Sequence, residues 1–163
     1  MHDNNANNPQ SSPHGPGVRI QPPLIYAGSI LGGIGIDRVA PLPMPLGLHG
    51  PLYSGILLAL VLLLAGLCIH EFHKAGTDVR PDRPDSALIT SGPYCHSRNP
   101  LYLGLTLVQV AAATWFNNAW VLAMAVVSVA VISRYAIRRE EHYLESLFGE
   151  SYREYKQRVR RWF

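Results

Sequence analysis

The sequence predicts an all-α integral membrane protein: a bundle of about four transmembrane helices followed by an amphipathic cytosolic C-terminal helix. Three observations predict it. Only 15% of the 163 residues are charged, against about 25% in an ordinary soluble domain. Between Arg98 and Arg134 there is no Asp, Glu, Lys or Arg at all, and a soluble chain of this length has no core wide enough to bury such a run. Finally, Leu52–Ile69 is almost continuously apolar, close to the roughly 20 residues that cross a 30 Å hydrocarbon core. The two cysteines, Cys68 and Cys95, exclude a disulfide scaffold, and without a C-x-x-C no catalytic dithiol is indicated.

The elements follow in chain order. Residues 1–19 are rich in Asn, Pro, Ser and Gly and read as a disordered tail, which leaves 20–163 as one membrane domain. The tail has no basic start and no short apolar stretch of the signal-peptide kind. Ile20–Ile36 is uncharged but glycine-rich. It reads as a first membrane helix in which Gly28-x-x-x-Gly32 admits a close neighbour, or as a glycine-rich loop. Asp37-Arg38 ends it, and the recurrent prolines of APLPMPLGLHGP forbid regular helix. Leu52–Ile69 is the second membrane helix.

The apolar run Leu101–Ser133 is 33 residues long, about 50 Å as one helix and too long for a bilayer. Asn117-Asn118, flanked by Trp115, Phe116 and Trp120, supplies a turn and interfacial aromatics at its middle, so a helical hairpin fits better. Thirteen of the fourteen Lys and Arg residues then fall on one side, with Arg38 alone on the other. That bias places both termini and the 70–99 loop in the cytoplasm; the expected location is a bacterial inner (plasma) membrane. The basic residues near the end lie beside a membrane helix, where anionic headgroups rather than nucleic acid are the nearer partner.

Two polar clusters meet on the cytoplasmic side. In 86–104 Ser91-Gly92-Pro93 is a turn, and Asn99-Pro100 reads as an N-cap and an N1 proline opening the third membrane helix. Tyr94, Arg98 and Tyr102 surround that helix start, as ordinary interfacial anchors or as a site for an anion or an adenine ring. In the last segment Ile137, Leu144, Phe148, Tyr152, Tyr155 and Val159 recur at helical spacing. Gly149 followed by Ser151-x-x-Glu154 reads as a helix break and a capping box. Glu141 falls inside the apolar stripe with Glu140 on its flank, either paired with Arg138 and Arg139 or reserved for a ligand. His70-Glu71-Phe72-His73 has its histidines at i and i+3 rather than i and i+4, so no metal site is expected. No phosphate-binding loop or dinucleotide fingerprint is present.

Taken together, Thr90–Tyr94, Ser97-Arg98-Asn99-Pro100-Leu101-Tyr102-Leu103-Gly104, Arg138-Arg139-Glu140-Glu141 and Leu147-Phe148-Gly149-Glu150-x-Tyr152-x-x-Tyr155 resemble the isoprenylcysteine carboxyl methyltransferase family, which belongs with the phospholipid N-methyltransferases in a wider membrane group. The resemblance implies S-adenosylmethionine as cofactor, bound at the cytosolic edge. By motif, Ala87, Leu88 and Ile89 would line its adenosyl side and Tyr94 would face the ring or sulfonium. Asn99, Pro100, Leu101 and Tyr102 would surround the methionine moiety, and Glu140 would take its ammonium group. Arg98 and Glu141 would be catalytic. Asn99 stands where relatives carry His, Val79 and Ser86 where they carry polar cofactor-side residues, and Ala136 where they carry a substrate-side arginine, a role that Arg134 or Arg138 would take over.

The implied function is an integral membrane methyltransferase acting on a carboxylate, amine or thiol of a lipophilic or lipid-like acceptor. An NADPH-dependent membrane reductase related to sterol reductases and a non-catalytic membrane scaffold are the alternatives. The charge bias makes a direct prediction. Cysteine probes at Asp85 and Gly149 should be labelled only from the cytoplasm, and one at Asn118 only from outside; periplasmic labelling at Asp85 would reverse the orientation.

Overall fold

Proline decides where the apolar helices start. Its missing N–H costs nothing at the first helical position and its fixed φ suits the helix. Accordingly α1 (Pro22–Val39), α2 (Pro51–Ala75) and α3 (Pro100–Trp115) each open on a proline. α4 (Ala119–Ile132) instead uses Asn118, whose side chain accepts from the Val121 N–H at 3.0 Å. The computed structural model describes residues 20–76 and 87–162. Among these every regular element is helical. The tail 1–19, Val79 and Ser86 lie outside the described residues.

α2 packs on α3, α3 on α4, and α1 on both α3 and α4. The outer surface of this bundle is rich in large apolar side chains. Along α2 only Ser54 and Cys68 are buried, while Leu52, Ile56, Leu60, Leu62 and Leu63 are exposed. The interior holds polar groups beside small and aliphatic side chains such as Ala113, Val121 and Ile132. Gln109, fully buried, donates to Ser29 Oγ at 3.1 Å and to the Val121 carbonyl at 3.2 Å, and accepts from Ser128 Oγ at 2.9 Å. Ser54 and Thr114 share a hydroxyl contact of 2.9 Å. Inter-helix hydrogen bonds of this kind hold helices together where the surroundings are as apolar as the side chains. α2, and the continuous rod 119–148, are long and apolar enough to cross a membrane. Only 11% of the apolar window of α2 is buried, so α2 is no core helix of a soluble globule. α3 is a shorter apolar helix, about 24 Å long.

Several sequence expectations change in detail. The α3–α4 hairpin turns at Asn117, which takes a positive φ of 50°. Its side-chain oxygen accepts from the Met44 N–H at 3.0 Å, and the Ala119 N–H donates to the Leu42 carbonyl at 2.8 Å. The proline-rich segment thereby braces the turn. α2 runs on to Ala75, past the apolar stretch. α4 does not end at Ser133; it passes through a π turn, Ser133–Ile137, into α5 (Arg138–Phe148). The break at Gly149 is present with φ +55°, but α6 (Glu150–Arg158) begins one residue before Ser151 and has no side-chain cap. The expected capping box therefore does not form, because Ser151 already lies within the first turn.

The close approach on α1 is also displaced. Gly28 and Gly32 face open space, whereas a Cβ on Gly33 would lie 2.8 Å from the Val121 backbone. Gly33→Ala should thus destabilise the bundle by about 1–3 kcal/mol through overpacking, read as a lower melting temperature in detergent. Gly32→Ala should leave it unchanged or slightly raised.

Candidate functional site

Three chain segments converge where the start of α3 meets α5 and α6. The turn Gly92–Cys95 carries Tyr94 inward, and Gly92 occupies φ +58° where a Cβ would strike Glu71. Asn99 stands at the N-cap of α3, yet its side chain does not cap the helix. Its amide instead donates to the Arg161 carbonyl at 3.0 Å, because the segment after α6 crosses directly over this helix start. On the other side the π turn inserts an extra residue into the α4–α5 rod and brings Glu140 and Glu141 to face α3.

These segments enclose one cavity. It is lined by Ala87, Leu88 and Ile89, by Tyr94 and Arg98–Tyr102, and by Glu140 and Glu141. All nine residues expected at a cofactor, and both expected in catalysis, thus share one wall. Arg134 and Arg138 are exposed and lie outside the lining. Sequence reasoning overlooked Phe72, Tyr143, Leu144, Tyr152 and Tyr155 as further lining residues. The aromatic stripe of the last segment was the available signal for Tyr152 and Tyr155. For Phe72 there was none, since its place depends on α2 continuing beyond the apolar stretch.

The chemistry of the cavity is divided. One part is aromatic and aliphatic: Phe72 and Tyr94 stack edge to face with ring centroids 5.9 Å apart, and Leu88 packs on the buried Tyr152, Tyr155 and Val159. Tyr155 Oη donates to the Tyr94 carbonyl at 2.6 Å, pinning the turn. Burial pushes the Tyr94 and Tyr155 phenols well above their usual range. Burial, reinforced by Glu141, raises Tyr152 to about 12 despite the nearby arginines. All three therefore remain neutral hydroxyls at physiological pH.

The other part is ionic. Glu141, 8% exposed, is bound by two guanidiniums. Arg161 donates Nε to Oε1 at 3.0 Å and Nη2 to Oε2 at 2.5 Å, and Arg98 Nη2 lies 3.1 Å from Oε1. The hydrogen bonds to Glu141 raise the Arg161 pKa further. The adjacent pairing with Arg138 or Arg139 is thus replaced for Glu141 by partners distant in sequence. Glu140 Oε1 accepts from the Tyr102 hydroxyl. The buried Nε and Nη1 of Arg98 have no hydrogen-bond partner among the described residues. Buried donors of a charged group are costly to leave unpaired, and the Tyr152 hydroxyl is a further polar group beside this guanidinium.

A profile of the phospholipid methyltransferase family matches residues 51–151, a span that runs from α2 through both acids to the start of α6. The chain belongs to this family. An uncharacterised protein of Haemophilus influenzae is 45% identical over 62 residues, which cover 38% of this chain and 98% of that protein. No solved structure matches the chain. The cavity of this methyltransferase is therefore lined mainly by the family's own segment, with Tyr152 and Tyr155 contributed from beyond it.

The ion cluster predicts a contrast in stability. Glu141→Ala leaves two partly buried guanidiniums uncompensated and should cost about 3–5 kcal/mol. Arg153→Ala removes only an exposed contact to Glu145 and Glu150 and should not move the melting temperature measurably.

Proposed function

We propose that the protein is an S-adenosylmethionine-dependent membrane methyltransferase, similar to isoprenylcysteine carboxyl methyltransferases, that methylates a carboxylate, amine or thiol of a lipophilic acceptor. The observation that carries this reading is the division of one cavity into an apolar aromatic part and an ionic part with both an acid and an unsatisfied guanidinium edge. An adenosyl group bonded to a zwitterionic amino acid needs both. When bound, the cofactor supplies an electrophilic methyl group on a cationic sulfur.

The residues divide the remaining work. Ala87, Leu88, Ile89 and Phe72 offer apolar contact to a planar base, and Tyr94 offers an aromatic face to a cation. Glu140, which accepts from the Tyr102 hydroxyl, would also accept from an ammonium. Asn99 and Pro100 fix the start of α3, and with it the height of Leu101 and Tyr102 in the wall. Tyr152, Tyr155 and Leu144 line the same cavity and would keep water from a bound cofactor, whose methyl transfer would depend mainly on how the acceptor is positioned. Arg134 and Arg138 stand one turn apart outside the lining, so any acceptor contact they make is at the membrane boundary.

S-adenosylhomocysteine should raise the melting temperature of the detergent-solubilised protein, and NADPH should not. Stabilisation by NADPH alone would favour a reductase, and by neither ligand a scaffold. Glu140→Gln should fold normally yet bind S-adenosylhomocysteine about ten- to a hundredfold more weakly in calorimetry, the loss of one charged hydrogen bond of about 1.5–3 kcal/mol.

A further inference from the structure

The segment after α6 forms a strap across the cavity wall. The Arg160 carbonyl accepts from the Arg98 N–H at 3.0 Å, and the Arg161 carbonyl accepts from Asn99 Nδ2 at 3.0 Å and from Ser97 Oγ at 3.3 Å. Trp162 Nε1 donates to Ser133 Oγ in the π turn at 3.2 Å, and its ring packs on the cluster of Tyr26, Ile132, Ala136 and Ile137. The Arg161 side chain is thereby delivered to Glu141 at a fixed height, opposite Arg98.

We propose that Arg161 is a positioning residue that keeps the Arg98 guanidinium available to a carboxylate of the bound ligand. The argument is one of competition. A free carboxylate beside an arginine closes a two-pronged pair with it. Arg161 occupies both oxygens of Glu141, so Arg98 reaches that carboxylate through Nη2 alone; beside the Tyr152 hydroxyl, its Nε and Nη1 close no full hydrogen bond among the described residues. Glu141 itself meets two guanidiniums, and a ligand carboxylate beside Arg98 would balance the second. Without Arg161, Glu141 would turn to Arg98 and neutralise the edge that receives the ligand. This inference rests on the cofactor reading above and assigns the ligand's carboxylate to Arg98.

The test uses two probes on the full chain in detergent: S-adenosylhomocysteine and its decarboxylated analogue, which lacks only the carboxylate. The wild-type protein should bind the first more tightly. Arg161→Ala should lose about tenfold or more in affinity for S-adenosylhomocysteine while its affinity for the decarboxylated analogue stays within twofold. Arg161→Lys keeps the charge on Glu141 and should recover part of the loss; it also serves if the alanine variant does not fold. Equal losses for both probes, or none for either, would overturn the positioning role and leave the cofactor reading intact. Failure of the wild-type protein to bind either probe would overturn both.

Discussion

A carboxylate buried between two guanidiniums is stable only if all three charges are brought together by the fold, and Glu141 has that position here. Its partners come from the start of α3 and from the strap beyond α6. Removing water from three charges is expensive, and their mutual attraction offsets the expense only with good geometry. The geometry is supplied by neighbours that make no contribution of charge. The Arg160 and Arg161 carbonyls hold the backbone before Pro100, Tyr155 holds the Tyr94 turn, and Trp162 locks the strap to the π turn. The cavity wall is thus closed by hydrogen bonds between segments that are 20 to 64 residues apart in the chain.

The rest of the bundle serves as a scaffold with a different kind of cohesion. Apolar side chains of α2 and α4 cover the outside, where they add nothing to helix association in a hydrocarbon medium. Association relies on close packing at Gly33 against Val121 and on the Gln109 network linking α1, α3 and α4. The braced hairpin lies at the end of α3 opposite the ionic site, so the two ends of that helix are fixed independently. A rigid α3 keeps Pro100 and Tyr102 at constant height relative to Glu140.

The π turn joins the two regions. A regular α-helix continued from Ile132 would present each later residue about 100° out of phase with the arrangement seen. The inserted residue lets Ala136 and Ile137 remain fully buried while Glu140 and Glu141 face the cavity. It lies in the stretch that crosses from apolar to charged sequence, where the forces on the helix change from packing to ion pairing.

By itself the sequence determined that the protein is all-helical with apolar segments long enough to cross a membrane. The charge-free run, the apolar stretch of α2, the Asn117 turn and the helix start at Pro100 follow from composition and local stereochemistry, which act over a few residues. The family resemblance named Ala87–Ile89, Tyr94, Arg98–Tyr102 and both acids, and these residues all line one cavity. Tertiary structure alone decided the partners. Nothing local distinguishes Gly33 from Gly32 as the point of contact, or turns the Asn99 amide from its own helix to Arg161. Nor does adjacency to Arg138 and Arg139 reveal that Glu141 is held by Arg98 and Arg161. Each of these depends on the register between elements distant in sequence, and register is set by the packing of the whole bundle and the turn phase of one π insertion.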